Sequence, residues 1–260
     1  QRLRESIAEG DQLITTQGTA HGQLNGLTQM DLGDWRFGLP VRITAHTHAG
    51  NTGLLNIERE VRMSGPIHDK GVLILHSYLT SLFGHIAPLA LNASIVFEQE
   101  YNGVEGDSAS CAELFAVLSA LSGLPMAQGI AVTGAVNQHG DVLPVGGINE
   151  KIEGWFSVCE AAGLDGHQGV LIPDRNRRHL MLDPRVLGAV DQGLFHIYTA
   201  VHVRDGLELL TGQASGLGDA ATGTPYPADS VLGRAEQTLL AYRRACRQAG
   251  QVRPPRRSRM

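Results

Sequence analysis

From Glu105 to Lys151 the order of local signals is what most restricts the fold. A turn of small residues, Gly106-Asp107-Ser108-Ala109-Ser110, opens straight into a run in which Cys111, Leu114, Phe115, Leu118 and Leu121 recur at helical spacing. Gly123 stops that helix, read as 109–122, and Ser110 and Glu113 have the spacing of a capping box. IAVTG (130–134) follows as a short apolar strand, then VNQHGDVLPVG as a hairpin turning at His139-Gly140, then INEKIEGWFSVCEAAG (148–163) as a helix ended by Gly163. This sequence of elements sets Ser108 at the entry of one helix and Lys151 in the first turn of another, 43 residues later.

The flanking chain supports a mixed architecture. Residues 1–39 read as a short polar helix and a Gly-rich segment containing the strand GQLNGLTQM. VRITAHTH (41–48) alternates as a strand, and GLLNIERE (53–60) is expected to pair with it across AGNTG. Pro66 starts and Gly84 ends a predicted helix. NASIVFEQ (92–99) alternates, with Ile95 and Phe97 on one face. After Gly163 come a buried-type strand GVLIP (169–173), the short helices RNRRHLML and PRVLGAV, a strand LFHIYTA and a helix VRDGLELL. Composition marks 213–227 as a linker, and 228–250 as a last helix. There is no internal repeat.

Composition excludes several classes. With 42% hydrophobic and 18% charged residues the chain is globular. No apolar run is long enough to span a bilayer, and the polar start QRLRESIAEGDQ is no signal peptide. The chain does not begin with Met and is expected to be a piece of a longer protein. Three well-separated cysteines without a CxxC favour reduced thiols and a cytoplasmic setting. The net charge is −5, yet the last stretch from residue 237 carries seven Arg and no acid; RPPRRSRM is read as a solvated tail rather than a nucleic-acid contact. No GxxxxGK[ST] occurs, so the segment is expected to bind no ATP and to need no cofactor.

Of 21 basic residues only Lys70 and Lys151 are lysines. Arg cannot lose its proton in a protein, whereas a desolvated Lys can. Lys151 lies near a helix N-terminus, whose dipole disfavours a cation, and shares a face with Trp155 and Val158. A neutral Lys is the base that a serine hydroxyl needs to become a nucleophile. Ser108 sits where unpaired N–H groups at a helix entry are placed to receive an oxyanion. Taken singly, Ser108 reads as a helix cap and Lys151 as a solvated cation; together they read as a catalytic pair.

These motifs carry a resemblance. GDSAS (106–110) resembles the nucleophile turn of Lon-type ATP-dependent serine peptidases, and VTGAVNQHGDVLPVGGINEK (132–151) is similar to the segment leading to that family's catalytic lysine. The 43-residue spacing, VLIP (170–173) and HGQLNGL (21–27) also fit, so the likeness covers roughly 15–212. Gly-Asp before the serine and Ser after the alanine depart from the best-known bacterial members, and NEKIEGWF resembles a Lon-like branch whose ATPase module is divergent or inserted.

The resemblance implies an α/β (α+β) protease domain of mixed sheets and surrounding helices over 1–212, with a C-terminal helical extension over 228–260. It implies Ser108 and Lys151 as the dyad, unfolded polypeptides as substrates, a homo-oligomeric ring (a hexamer), and ATP used by a module outside the segment. Thr133 matches a residue that orients the lysine, with ordinary strand packing as the equal alternative. The competing reading is a Lon-like domain that binds polypeptide without cutting it.

Rival sites are weaker. Cys111 falls on an apolar helix stripe and reads as a core thiol. His46 and His48 share a strand face without a third ligand, and His68-Asp69-Lys70 has similar standing, with Lys70 as a surface or subunit contact. Substrate is expected to add as a strand beside Ala93–Tyr101, provided that segment has an open edge.

Overall fold

The computed structural model describes residues 12–31, 33, 36–101, 103–218 and 225–251. The polar helix expected near the N-terminus and the basic tail lie outside the described residues. In chain order the strands are β1 (Thr19–Ala20), β2 (Gln23–Asp31), β3 (Arg36–Ala49), β4 (Gly53–Asn56), β5 (Leu91–Glu98), β6 (Met126–Ala127), β7 (Ile130–Val132), β8 (Ala135–Val136), β9 (Val142–Leu143), β10 (Gln168–Pro173) and β11 (Phe195–Ala200). The helices are α1 (Ile57–Glu60), α2 (Pro66–Leu82), α3 (Ser110–Ser122), α4 (Ile148–Ala162), α5 (Pro184–Asp191), α6 (Val203–Thr211) and α7 (Val231–Gln251).

Seven strands make one mixed sheet in the order β11-β10-β7-β2-β3-β5-β4. The β7, β10 and β11 side is parallel, and β3 runs antiparallel to both of its neighbours, β2 and β5. Period-2 alternation sends successive side chains to opposite faces. Leu24, Ile43, Ile95, Val132 and Leu171 join one apolar core with α2, α3, α6 and α7. Leu27, Ala131, Val170, Ile172 and Phe195 join a second core with α4 and α5. The fold is therefore the expected mixed α/β arrangement, with helices on both faces of the sheet.

Two local expectations fail. GLLNIERE is a strand only over Gly53–Asn56, and β4 pairs parallel with β5 rather than with β3. Asn56 ends it: the side chain accepts from Arg59 N–H and starts α1. β5, buried at Leu91, Ala93, Ile95 and Phe97, takes the place beside β3 along its whole length. It follows that β5 has a strand partner on both edges over 92–95, and the open edge expected there is absent. β4 covers 92–95, and the Glu58 carboxylate accepts from Phe97 N–H at 2.8 Å.

The C-terminal helix packs into the first core through Val231, Leu232, Ala235 and Leu239. Ahead of it, Val231 and Leu232 N–H donate to Ala214 and Ser215 carbonyls, and Tyr226 O–H donates to Leu82 O. No helix among the described residues is long and apolar enough to cross a membrane.

Candidate active site

The short strand β7 creates the site. It pairs with β2 only at Gly26↔Val132 and then ends, so Thr133 and Gly134 leave the sheet. Thr133 N–H still donates to Leu171 O, and Gly134 N–H reaches across to Ser108 O at 2.8 Å. Cys111 N–H returns a bond to Gly134 O. The turn before α3 is thereby fastened to the end of β7. α4 approaches from the other face of the sheet.

Lys151 Nζ lies 2.9 Å from Ser108 Oγ and 3.3 Å from Thr133 Oγ1. Thr133 Oγ1 in turn donates to Ser108 O at 3.3 Å. Lys151 is 3% exposed, and burial lowers its pKa to about 8, against the pull of the Asp107 carboxylate. One turn further along α4 Trp155 is fully buried, with the indole N–H donating to Gly169 O. Ser108, Asp107, Lys151 and Gly146 line a cleft of about 570 Å3. Among the described residues the N–H groups of Asp107, Ser108 and Ala109 have no acceptor, while Ser110 N–H is taken by Asp107 O. These are the donors the helix entry offers to an anionic oxygen.

How α4 comes so close was not read from the sequence. A Cβ at Gly38 would overlap Glu150 O and the Lys151 backbone, and a Cβ at Gly154 would overlap Gly38 O. Two glycines thus let the first turns of α4 rest directly on β3, which sets the height of Lys151 above the sheet. A glycine inside a strand, as in RFGLP, is the signal for such an approach.

Ser110 and Glu113 do not form a capping box. The N-cap is Ala109 without a side-chain bond, and Ser110 Oγ donates to Asp107 O. Glu113 is instead buried, accepting from Asn56 Nδ2 at 2.9 Å, and burial pushes its carboxyl up to about 8. His68 is buried as well, 3.8 Å from Glu113, whereas Lys70 is exposed. Cys111 is a core thiol whose pKa burial raises. His46 and His48 are exposed on β3, and no group of three His, Cys, Asp or Glu among the described residues is placed to hold a metal.

The family model for the Lon protease (S16) C-terminal proteolytic domain matches residues 102–205, which include both Ser108 and Lys151. The chain carries a Lon protease proteolytic domain. A "Putative Lon protease homolog" of Escherichia coli (strain K12) is 43% identical to it over 212 residues, 81% of this chain and 36% of that protein. The protein of the same name in Haemophilus influenzae is 40% identical over 202 residues, 77% of this chain and 34% of its own. An "Archaeal Lon protease" of Thermoplasma acidophilum is 35% identical over 172 residues, covering 65% and 25%. The Lon-type chain described here thus spans about a third of the length of the first two relatives and a quarter of the third.

Proposed function

We propose that this chain is the protease part of a Lon-like machine, a serine endopeptidase working through Ser108 and Lys151. The observation that carries the reading is a buried lysine, its pKa lowered to about 8, within 2.9 Å of a serine hydroxyl at a cleft. Neutral Nζ takes the proton from Ser108 Oγ as the oxygen attacks the peptide carbonyl carbon. The backbone N–H groups of Asp107, Ser108 and Ala109 are placed to face the oxyanion. Lys151 then delivers the proton to the amide nitrogen as the C–N bond breaks, leaving an acyl-serine. Water, deprotonated by the same amine, cleaves the ester and the proton returns to Oγ. Thr133 holds the amine between strokes.

Substrate is proposed to lie along β2. Once β7 has left, the edge of β2 from Leu27 to Met30 has no strand partner among the described residues, and Thr28, Gln29 and Met30 line the cleft beside Ser108. Pairing there reads backbone rather than sequence, as unfolded polypeptides require. Enclosure in a homo-oligomeric ring, a hexamer by the family's example, would shield that edge. ATP would act in a module outside this segment, in the cytoplasm.

Cleavage of an unfolded protein by the chain and its Ser108→Ala variant tests the reading. Cleavage lost in the variant, with binding retained, supports it. Undiminished cleavage removes Ser108 from the role, and binding without cleavage by the parent restores the polypeptide-binding alternative.

A further inference from the structure

We propose that Ser110 is a positioning residue for the oxyanion donors: its hydroxyl fixes the peptide between Asp107 and Ser108 so that the Ser108 N–H faces the cleft. The inference rests on the Ser108–Lys151 reading.

Three bonds dock the start of α3 onto residues 134–136, and a side chain makes the third. Gly134 N–H donates to Ser108 O at 2.8 Å, and Cys111 N–H donates to Gly134 O at 3.1 Å. Val136 N–H, on β8, donates to Ser110 Oγ at 3.0 Å. Ser110 Oγ gives its own proton to Asp107 O at 2.9 Å, and Ser110 N–H reaches the same carbonyl at 3.1 Å. The residue is 1% exposed. A hydroxyl can donate once and accept as well, so one buried group both ties the nucleophile turn to β8 and holds the turn's carbonyl at Asp107. The other buried hydroxyls of α3 bond at its far end, Ser119 to Leu124 O and Ser122 to Ser119 O.

The direction of these bonds decides which way the free donors point. A peptide group is planar and trans, so its C=O and N–H point in opposite directions. Asp107 O is drawn along α3 toward Ser110, and the Ser108 N–H therefore points out of the helix start. Ser108 O is drawn to Gly134 N–H and Thr133 Oγ1, which turns the Ala109 N–H away from the end of β7. Ser108 and Ala109 both line the cleft. A conventional N-cap side chain would occupy such donors, but the N-cap is Ala109 and makes no side-chain bond. The hydroxyl that fixes the entry sits one position inside the helix and bonds backward to a carbonyl. The turn is thereby held while its N–H groups stay open for an anionic oxygen.

The test compares the parent with Ser110→Ala, which removes the hydroxyl and little else. Turnover of a short peptide, its KM, its pH profile, inhibition by a peptide aldehyde and the melting temperature are measured for both. Ser108 Oγ adds to the aldehyde carbon, its proton passes to Lys151 Nζ, and the aldehyde oxygen takes the negative charge. Ser110→Ala is expected to lower kcat by about tenfold or more with KM little changed, because a single oxyanion donor is worth about a hundredfold or more. Inhibition by the aldehyde should weaken by a similar factor, since its adduct is held as the transition state is. The activity limb near pH 8, set by Lys151, should stay in place. Parental kcat in Ser110→Ala would overturn the proposal, whatever happens to the melting temperature. So would a fall in kcat with aldehyde inhibition unchanged, or a displaced pH limb, which would place the effect on Lys151 instead.

Should the alanine variant not fold, Ser110→Cys fills the same space with a group that bonds only weakly, and parental kcat with parental aldehyde inhibition there overturns the proposal as well. The Ser108→Ala control separates the two levels. An active parent with an inert Ser108→Ala keeps the dyad whatever Ser110 does, and a parent without serine-dependent activity removes the dyad and this inference with it.

Discussion

Ser108 and Lys151 reach the cleft from opposite faces of one sheet, and those faces are built by different means. On the Ser108 side, α3 is an interior helix: twelve of its thirteen residues are buried, Glu113 and three serines among them. It is closed in by the sheet, α2 and α7, so each polar group on it needs a partner inside the protein. On the Lys151 side, α4 buries seven of fifteen residues and keeps a solvent face. It is held by apolar packing through Ile152, Trp155 and Phe156, and by backbone contact at Gly38 and Gly154. The Ser108 hydroxyl is thus placed by an interior helix whose polar groups bond inside the protein, and the Lys151 amine by close apolar packing, two separate constraints that converge on one 2.9 Å contact.

Removing either partner of the Ser108–Lys151 contact should have the largest effect. Ser108→Ala and Lys151→Ala should each lower peptide hydrolysis by a thousandfold or more, as roughly seen when members of a catalytic unit are deleted. Lys151→Arg should be as inactive as Lys151→Ala, because Arg keeps the charge but supplies no base. Peptidase assays on the purified chain decide it, and substantial activity in the Arg variant would leave the lysine an electrostatic role only.

The two faces should also respond to pH with opposite sign. Lys151 has a folded pKa of about 8, below its ordinary 10.5, so the unfolded chain holds that proton more tightly. The cost to the fold is full below pH 8, about 3 kcal/mol on the usual conversion, and fades as pH rises through 10.5. Glu113 has a folded pKa of about 8, above its ordinary 4.5. Its stabilising contribution is full below 4.5 and is lost as pH rises through 8. Stability should therefore fall toward pH 8 and recover above it. Lys151→Met should be more stable than the parent at pH 7 and lack the alkaline recovery, whereas Glu113→Gln should lack the fall. Denaturant midpoints across pH 5–10 measure both, and a variant that leaves its limb in place would show that the burial on that face does not act through that group. Activity should rise through pH 8 as Lys151 becomes neutral.

The glycine contact offers a test on the Lys151 side alone. In an ordinary helix Gly→Ala stabilises by about 1 kcal/mol. Gly154→Ala should do the reverse, destabilising by roughly 1–3 kcal/mol through overpacking on Gly38, with a loss of activity as Lys151 is lifted from Ser108. A denaturant melt giving a stabilised variant would mean that β3 and α4 separate without cost.

What could be read from the sequence follows the same division. Amphipathic α4 announced itself by the spacing of Lys151, Trp155 and Val158, and its partner at Ser108 by a small-residue turn before a periodic run. Glu113 was misread because a carboxylate three residues after a serine resembles a cap, and only the packing of α1 and α2 around it makes it an interior residue. The order of β3, β5 and β4 escaped for a related reason. Alternation identifies a strand but not its neighbour, and Asn56 turning the chain into α1 is a capping event hidden inside a strand-like run. Gly38 was passed over because its meaning lies on α4, more than a hundred residues away.

The smallest effect is expected at Thr133, where the two constraints meet. Its hydroxyl accepts from Lys151 Nζ and donates to Ser108 O, each at 3.3 Å, and it is itself buried. Thr133→Val keeps the shape and removes both bonds. Bonds of that length are weak, and a net hydrogen bond contributes on the order of 1 kcal/mol, so the expected loss is about fivefold in kcat with KM unchanged. Thr133→Ser keeps the hydroxyl and should retain most of the rate. Equal rates for Val and the parent would assign Thr133 to strand packing alone and leave burial and the glycine contact to hold the lysine. A loss as deep as that of Lys151→Ala would mean the reverse, that the amine has no fixed place without this hydroxyl and that the apolar face positions the helix but not its reactive end.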